Sequence, residues 1–191
     1  MKAVMISIQP KFCELITSGK KTIEVRKTRP KIHTPFKCYI YETKSYDTLF
    51  GKGMPKKLCV GGGYVIGEFV CDSFYNIPHF LPDESDDIQH AIVPFVLQYS
   101  CLQDYEIDEY LGAKDGYGWH ISDLVIYDKP KGLSEFYFAK CVMPCEHKKR
   151  GFNMDFCMAY ENGSHFCKEL NCDKKRLTRP PQSWQYVEEK E

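Results

Sequence analysis

The sequence predicts an α+β fold built around a small, largely antiparallel β-barrel or sheet with flanking helices. Three observations carry this expectation: short segments of period-two or β-branched character recur along the chain, a few stretches of helical spacing lie between them, and no internal repeat arranges them into an array. Of the 191 residues, 43% are apolar and 14% aromatic. That is enough to bury a core at a length where folding hides roughly 70% of the unfolded chain's surface. Disorder over the whole length is excluded, and the length favours one domain with insertions.

The elements follow in order. Val4, Ile6 and Ile8 alternate with Ala3, Met5 and Ser7, as in a strand buried on both faces. Pro10 suits a first helical turn, and Phe12, Leu15 and Ile16 keep helical spacing up to a stop at Gly19. Residues 21–27 alternate again, with Ile23 and Val25 on an apolar face and Thr22, Glu24 and Arg26 on a polar, functional-looking one. Residues 36–42 form a third strand. Residues 44–63 carry turn formers and Gly61-Gly62-Gly63 and read as a surface loop; no GxxxxGK[ST] pattern makes it a phosphate cradle. Residues 64–72 are a strand in which Gly67 marks a bulge or a close approach. An acidic loop is expected at 78–87, a helix disturbed by Pro94 at 88–99, and a second helix at 104–111 stopped by Gly112. Residues 117–127 alternate as one strand, with Trp119 and Ile121 opposite His120 and Ser122. Residues 184–187 close the chain as a strand after Pro180-Pro181.

Composition narrows the function. The longest nearly unbroken apolar run, 91–97, contains Pro94 and is far short of the ~20 residues that cross a bilayer. The first eight residues are too short an apolar stretch for a signal peptide, so a cytoplasmic protein with no membrane partner is expected. Net charge is zero, yet residues 1–60 hold 13 Lys and Arg against 4 Asp and Glu, while residues 61–140 hold 4 against 14. Such segregation gives a basic face that attracts phosphates, unless the two halves interleave and neutralise each other.

Three segments together resemble the ASCH domain family, a branch of the PUA-like superfamily of RNA-associated domains. They are Ser7-Ile8-Gln9-Pro10 running through a helix to Gly19-Lys20-Lys21-Thr22-Ile23-Glu24-Val25-Arg26, then Gly67-Glu68-Phe69, then Tyr117-Gly118-Trp119-His120-Ile121-Ser122-Asp123. Gly19, Lys21, Glu24 and Arg26 occupy the four places of the family's G-x-K-x-x-E-x-R signature. The resemblance implies a single PUA-like domain over 1–191, with additions at about 44–63, 76–112 and 139–178. It also implies a cleft beside the first helix that takes RNA, a nucleotide or a nucleoside, including one with a modified base.

The chemistry of the signature fits that implication. The fork of Arg26 can hold a phosphate or base edge, Glu24 can accept from an exocyclic amine, and Lys21 adds a point charge, with Thr22 beside them. The alternative is an ordinary surface pair of Glu24 and Arg26, worth little. Trp119, or Tyr39 or Tyr41, can stack on a base, and His120 lines the same strand, although the default reading is Trp119 as core and His120 as a hydrogen-bonded wall. Some ASCH proteins are amidohydrolases acting on N4-acetylcytidine-like nucleosides, with a K-x-x-T-x-R motif. Here Glu24 holds the threonine's place, leaving Lys21, Thr22 and Glu24 as the catalytic set if that activity exists and Glu68 as a candidate second carboxylate. Lys21 with His120 would be the acid–base pair of a ribonuclease.

Ten cysteines are many for a cytosolic chain. Cys145, Cys157, Cys167 and Cys172 are spaced to offer four thiolates to a structural zinc, with Cys141 and His147 as spare ligands. They lack paired C-x2-C knuckles, so free thiols or disulfides stay open as readings. Lys148-Lys149-Arg150 and Lys174-Lys175-Arg176 flank the cluster.

Overall fold

In the computed structural model the described residues are 3–49, 56–78, 87–112, 114–138 and 176–189. Strand β1 (Ala3–Ile8) leads into α1 (Pro10–Thr17), then β2 (Ile23–Arg26) and β3 (Phe36–Glu42). A hairpin of β4 (Ser45–Leu49) and β5 (Lys56–Val60) follows, then β6 (Val65–Cys71) and β7 (Phe74–Ile77). Two helices, α2 (Asp87–Ser100) and α3 (Asp104–Leu111), precede β8 (Gly116–His120), β9 (Ser122–Lys131), β10 (Phe136–Phe138) and β11 (Trp184–Glu189).

Six strands form one sheet in the order β10-β11-β1-β3-β6-β9, antiparallel throughout except for the parallel pair β1 and β3. A second sheet, β2-β8-β7, is antiparallel. The expected mixed α+β character is present, but among the described residues the large sheet stays open and no barrel closes.

Three cores organise the layers. Val4, Ile6, Ile8, Cys38, Ile40 and Phe69 on one face of the large sheet meet Cys13 and Ile16 of α1 and Trp119 of β8. The other face of that sheet gathers Ala3, Met5, Tyr39, Tyr41, Phe136 and Val187. A third core joins Ile23 and Val25 of β2 to Ile77, Val96 of α2 and Ile107 of α3. The small sheet is therefore covered on both sides.

Several expectations need correction. Strand β2 spans four residues, not 21–27, and all four are buried, so its polar face does not look out at solvent. The expected loop at 44–63 contains the β4–β5 hairpin, paired from Ser45↔Val60 to Leu49↔Lys56; the glycines that suggested a loop sit after the second strand. Residues 76 and 77, expected to open the addition at 76–112, instead extend with 74 and 75 as β7 because β8 offers them a partner edge. The single strand expected at 117–127 is two strands in different sheets. It breaks at Ile121, whose N–H bonds Thr22 O at 2.9 Å, just ahead of Asp123 at φ +46°. Helix α2 runs through Pro94, which is exposed. The acidic loop lies mostly outside the described residues, and so do Cys145, Cys157, Cys167 and Cys172.

Candidate functional site

Helix α1 ends in a way that sets up the site. Gly19 takes φ +71°; its N–H bonds Ile16 O and that of Lys20 bonds Leu15 O, the paired reverse bonds that close a helix through a left-handed residue. Lys21 N–H also reaches Leu15 O, so the chain folds back beneath the helix. Lys21 thus enters the interior before the strand begins and is free of the strand's alternation.

Glu24 and Arg26 share one face of β2, and Glu24 takes both cations. Its Oε2 lies 3.3 Å from Lys21 Nζ and its Oε1 2.9 Å from an Arg26 Nη. Lys21 Nζ also donates to Ser100 O at 2.7 Å, at the end of α2. Arg26 Nη2 donates to Ser7 O at 2.5 Å, and Nη1 reaches Ser183 Oγ at 3.4 Å. Lys21, Glu24 and Arg26 are 2%, 6% and 7% exposed. The three tips converge on one buried point, which removes the reading of Glu24 and Arg26 as a surface pair. At about 3 Å and out of water such pairing is strong, and it offsets a desolvation cost of several kcal/mol per ion.

Thr22 stands half-buried at the entry to β2, with its N–H on Tyr99 O and its carbonyl accepting from Ile121 N–H, both at 2.9 Å. Phe12 of α1 presents its ring 5.1 Å from Lys21 Nζ and 4.5 Å from Lys11 Nζ. Cys13 lies close by. Burial pushes its thiol far up, the carboxylates of Glu42, Glu24 and Glu14 push further, and Arg26 only partly offsets them. It is a packing thiol and carries no nucleophilic thiolate.

Trp119 sits directly opposite Glu24 in register and His120 opposite Ile23, so the two side chains leave the strand on opposite faces. Trp119 is 0% exposed, set edge-on against Phe36 and Phe74 and tilted against Trp184. His120 lies on the other face with Nδ1 2.7 Å from Asp72 Oδ1 and its ring edge-on to Tyr75. The structure does not bring His120 to the triad, so Lys21 and His120 form no acid–base pair. Tyr39 and Tyr41 point into the second core, across the large sheet.

Glu68 is also across that sheet. It faces Tyr39 in register, accepts from Lys37 Nζ at 2.7 Å and from Tyr127 OH at 2.5 Å. It therefore cannot supply the second carboxylate beside Lys21. The carboxylate on the correct side is Glu42, which pattern reading missed. It ends the row Cys38, Ile40, Glu42 that faces the first core, and its Oε2 accepts the Gly62 N–H at 2.7 Å. A charge closing an apolar row was the available signal. Gly61 lets the loop come this close, since a Cβ there would stand 2.3 Å from Thr43 O and 2.7 Å from Pro10 Cγ. Ser100 and Ser183 had no sequence signal, and Ser7, though it stands in the motif, contributes through its backbone carbonyl, as Ser100 does. Among the described residues no group of three or more His, Cys, Asp or Glu is arranged to hold a metal.

An open six-stranded sheet, a small second sheet and a buried Lys–Glu–Arg triad under the first helix define an α+β domain with its polar centre at the β1–α1–β2 corner. That architecture is shared with solved structures: the chain has an ASCH-domain fold. It superimposes on an ASCH protein from Zymomonas mobilis with TM-score 0.53 at 17% identity, over 96% of this chain and 86% of the other. A single-residue variant of the same bacterial protein gives TM-score 0.54 at 16% identity, over 97% and 90%. No protein-family model matches the chain, and no curated protein matches it.

Proposed function

We propose that this protein binds RNA or a nucleotide at the corner built by Lys21, Thr22, Glu24 and Arg26. The observation that carries the reading is the charge balance of the triad: two buried cations share one carboxylate. A net positive charge held out of water is costly alone and favourable beside an anion. The ASCH-domain fold, a PUA-like arrangement, supports RNA as the source of that anion. A basic amino-terminal third, with 13 cations against 4 anions in residues 1–60, extends the attraction over the surface.

The test is anisotropy of a fluorescein-labelled single-stranded 12-mer RNA over a salt series. Binding weakens steeply as salt rises, and Arg26→Ala weakens it at low salt, with Arg26→Lys in between because it keeps the charge and loses the fork. Thermal melts of each variant separate lost binding from lost fold. Wild-type protein that fails to bind at any salt concentration, or folded variants that bind equally well, would contradict the proposal.

Lys21 Nζ is engaged by Ser100 O and Glu24, which favours a charge-holding role. The hydrolase alternative predicts acetate release from N4-acetylcytidine that Thr22→Ala abolishes; no product at high protein concentration would remove it. We propose further that Cys145, Cys157, Cys167 and Cys172 hold a structural zinc. Elemental analysis of purified protein is then expected to give one zinc per chain, lost in Cys157→Ser; metal-free, fully folded protein would contradict it.

A further inference from the structure

Two buried donors beside the triad find no acceptor among the described residues: Arg26 Nε and Trp119 Nε1. A buried N–H without a partner costs free energy, so each calls for an occupant. The donors fix what that occupant is. A guanidinium and an indole N–H can only give a hydrogen, so whatever partners them is an acceptor.

The two belong to one neighbourhood. Trp119 lies opposite Glu24 and Arg26 opposite Tyr117, which makes Arg26 and Trp119 diagonal neighbours on the same face of the β2–β8 ladder, their Cα atoms ~7–8 Å apart. Both lean on the same step of the chain. Arg26 Nη1 reaches Ser183 Oγ at 3.4 Å, the longest polar contact of the guanidinium, and the Trp184 ring is 5.9 Å from that of Trp119. The other end of the guanidinium is satisfied by Glu24 and Ser7 O. The indole of Trp184 is satisfied too, donating to Thr28 Oγ1 at 3.0 Å. A third orphaned donor, Gln185 Nε2, lies opposite Met5 on the second-core face and takes no part.

We propose that Arg26 Nε–H and Trp119 Nε1–H together receive one acceptor oxygen of the nucleotide, between β2 and the Ser183–Trp184 step. This deepens the reading above and rests on it. The Ser183 contact, at 3.4 Å, is the longest the guanidinium makes and is the one a ligand oxygen would displace. An oxygen is accepted there and an amine is refused, because an amine would set donor against donor. A base carbonyl and a phosphate oxygen share this chemistry, and the experiment separates them.

The chain has two tryptophans, so a 15N-labelled sample shows two indole N–H peaks, which Trp119→Phe assigns. Uridine, inorganic phosphate and uridine 5′-monophosphate are titrated separately. The Trp119 indole peak is expected to move downfield as it gains an acceptor, while that of Trp184 stays. Movement with uridine identifies a carbonyl, and movement with inorganic phosphate identifies a phosphate oxygen. Arg26→Lys is expected to raise the dissociation constant about tenfold. Backbone peaks of residues 21–26 that shift while the Trp119 indole stays still would overturn this inference and leave nucleotide binding standing. No movement of any peak, with these probes or with the 12-mer RNA, would overturn both.

Discussion

Glu24 is the residue on which the site's charge balance depends, since it is the only anion touching the two buried cations among the described residues. Glu24→Gln keeps the shape and removes the charge, leaving Lys21 and Arg26 unpaired out of water. A loss of about 3–5 kcal/mol in urea unfolding is expected. A change below 1 kcal/mol would mean the triad is solvated. Two other carboxylates set the acid limb of stability. Partial burial pushes Glu68 up, but hydrogen bonds from Lys37 and Tyr127 and the charges of Lys37 and Lys131 outweigh it and hold the group below its ordinary 4.5. Asp72 has the same balance: burial raises it, and His120 and Ser73 bring it below its ordinary 3.8. Both are depressed in the folded state, so their contribution is full above the ordinary carboxylate range and is lost as pH falls through and below it. Unfolding midpoints measured from pH 6 down to pH 2 are expected to fall, with a shallower fall in Tyr127→Phe, which lacks one of the bonds holding Glu68 ionised. Equal slopes would remove the Tyr127 contribution.

Two glycines decide elements. Gly19 closes α1 in open space at φ +71°, so a methyl group there meets nothing and costs only the left-handed backbone, about 1–2 kcal/mol. Gly19→Ala is expected to lower stability by that amount, and Gly19→Asn by less; no difference between the two would mean that backbone strain is not the cause. Gly67 is tighter, with a Cβ due 2.4 Å from Val125 O where β6 meets β9. The sequence marked that glycine as a bulge or close approach, and the register shift after Val65 is where it falls. Other elements were legible for similar reasons. Helix α3 runs from 104 to 111 as its spacing and Gly112 indicate, and β1 is buried on both faces as its almost wholly apolar content, broken only by Ser7, suggests. Strand β2 was half legible. Its alternation was visible, but burial of the polar side depends on α1 folding over it through the Gly19 turn, a tertiary fact. The break at Ile121 left no mark, because its neighbours keep alternating while the chain changes sheets. The hairpin at 45–60 was hidden by the glycines that follow it.

At the scale of the molecule, the topology explains how one short motif becomes a centre. Strand β1 lies in the large sheet, β2 in the small one, and α1 spans them, so Ser7, Lys21, Glu24, Arg26 and Ser183 meet only because the two sheets share a core. No helix among the described residues is long and apolar enough to cross a membrane. Ser100 lies 79 residues from the Lys21 it meets and Ser183 lies 157 from Arg26, and no local pattern announces such a meeting. The most direct measurement is ultraviolet crosslinking of the bound 12-mer RNA, followed by peptide mass spectrometry. Adducts on peptides carrying residues 21–26, 117–119 or 181–184 are the expected result. Reproducible adducts confined to α3 or β9, with none on those peptides, would contradict the account.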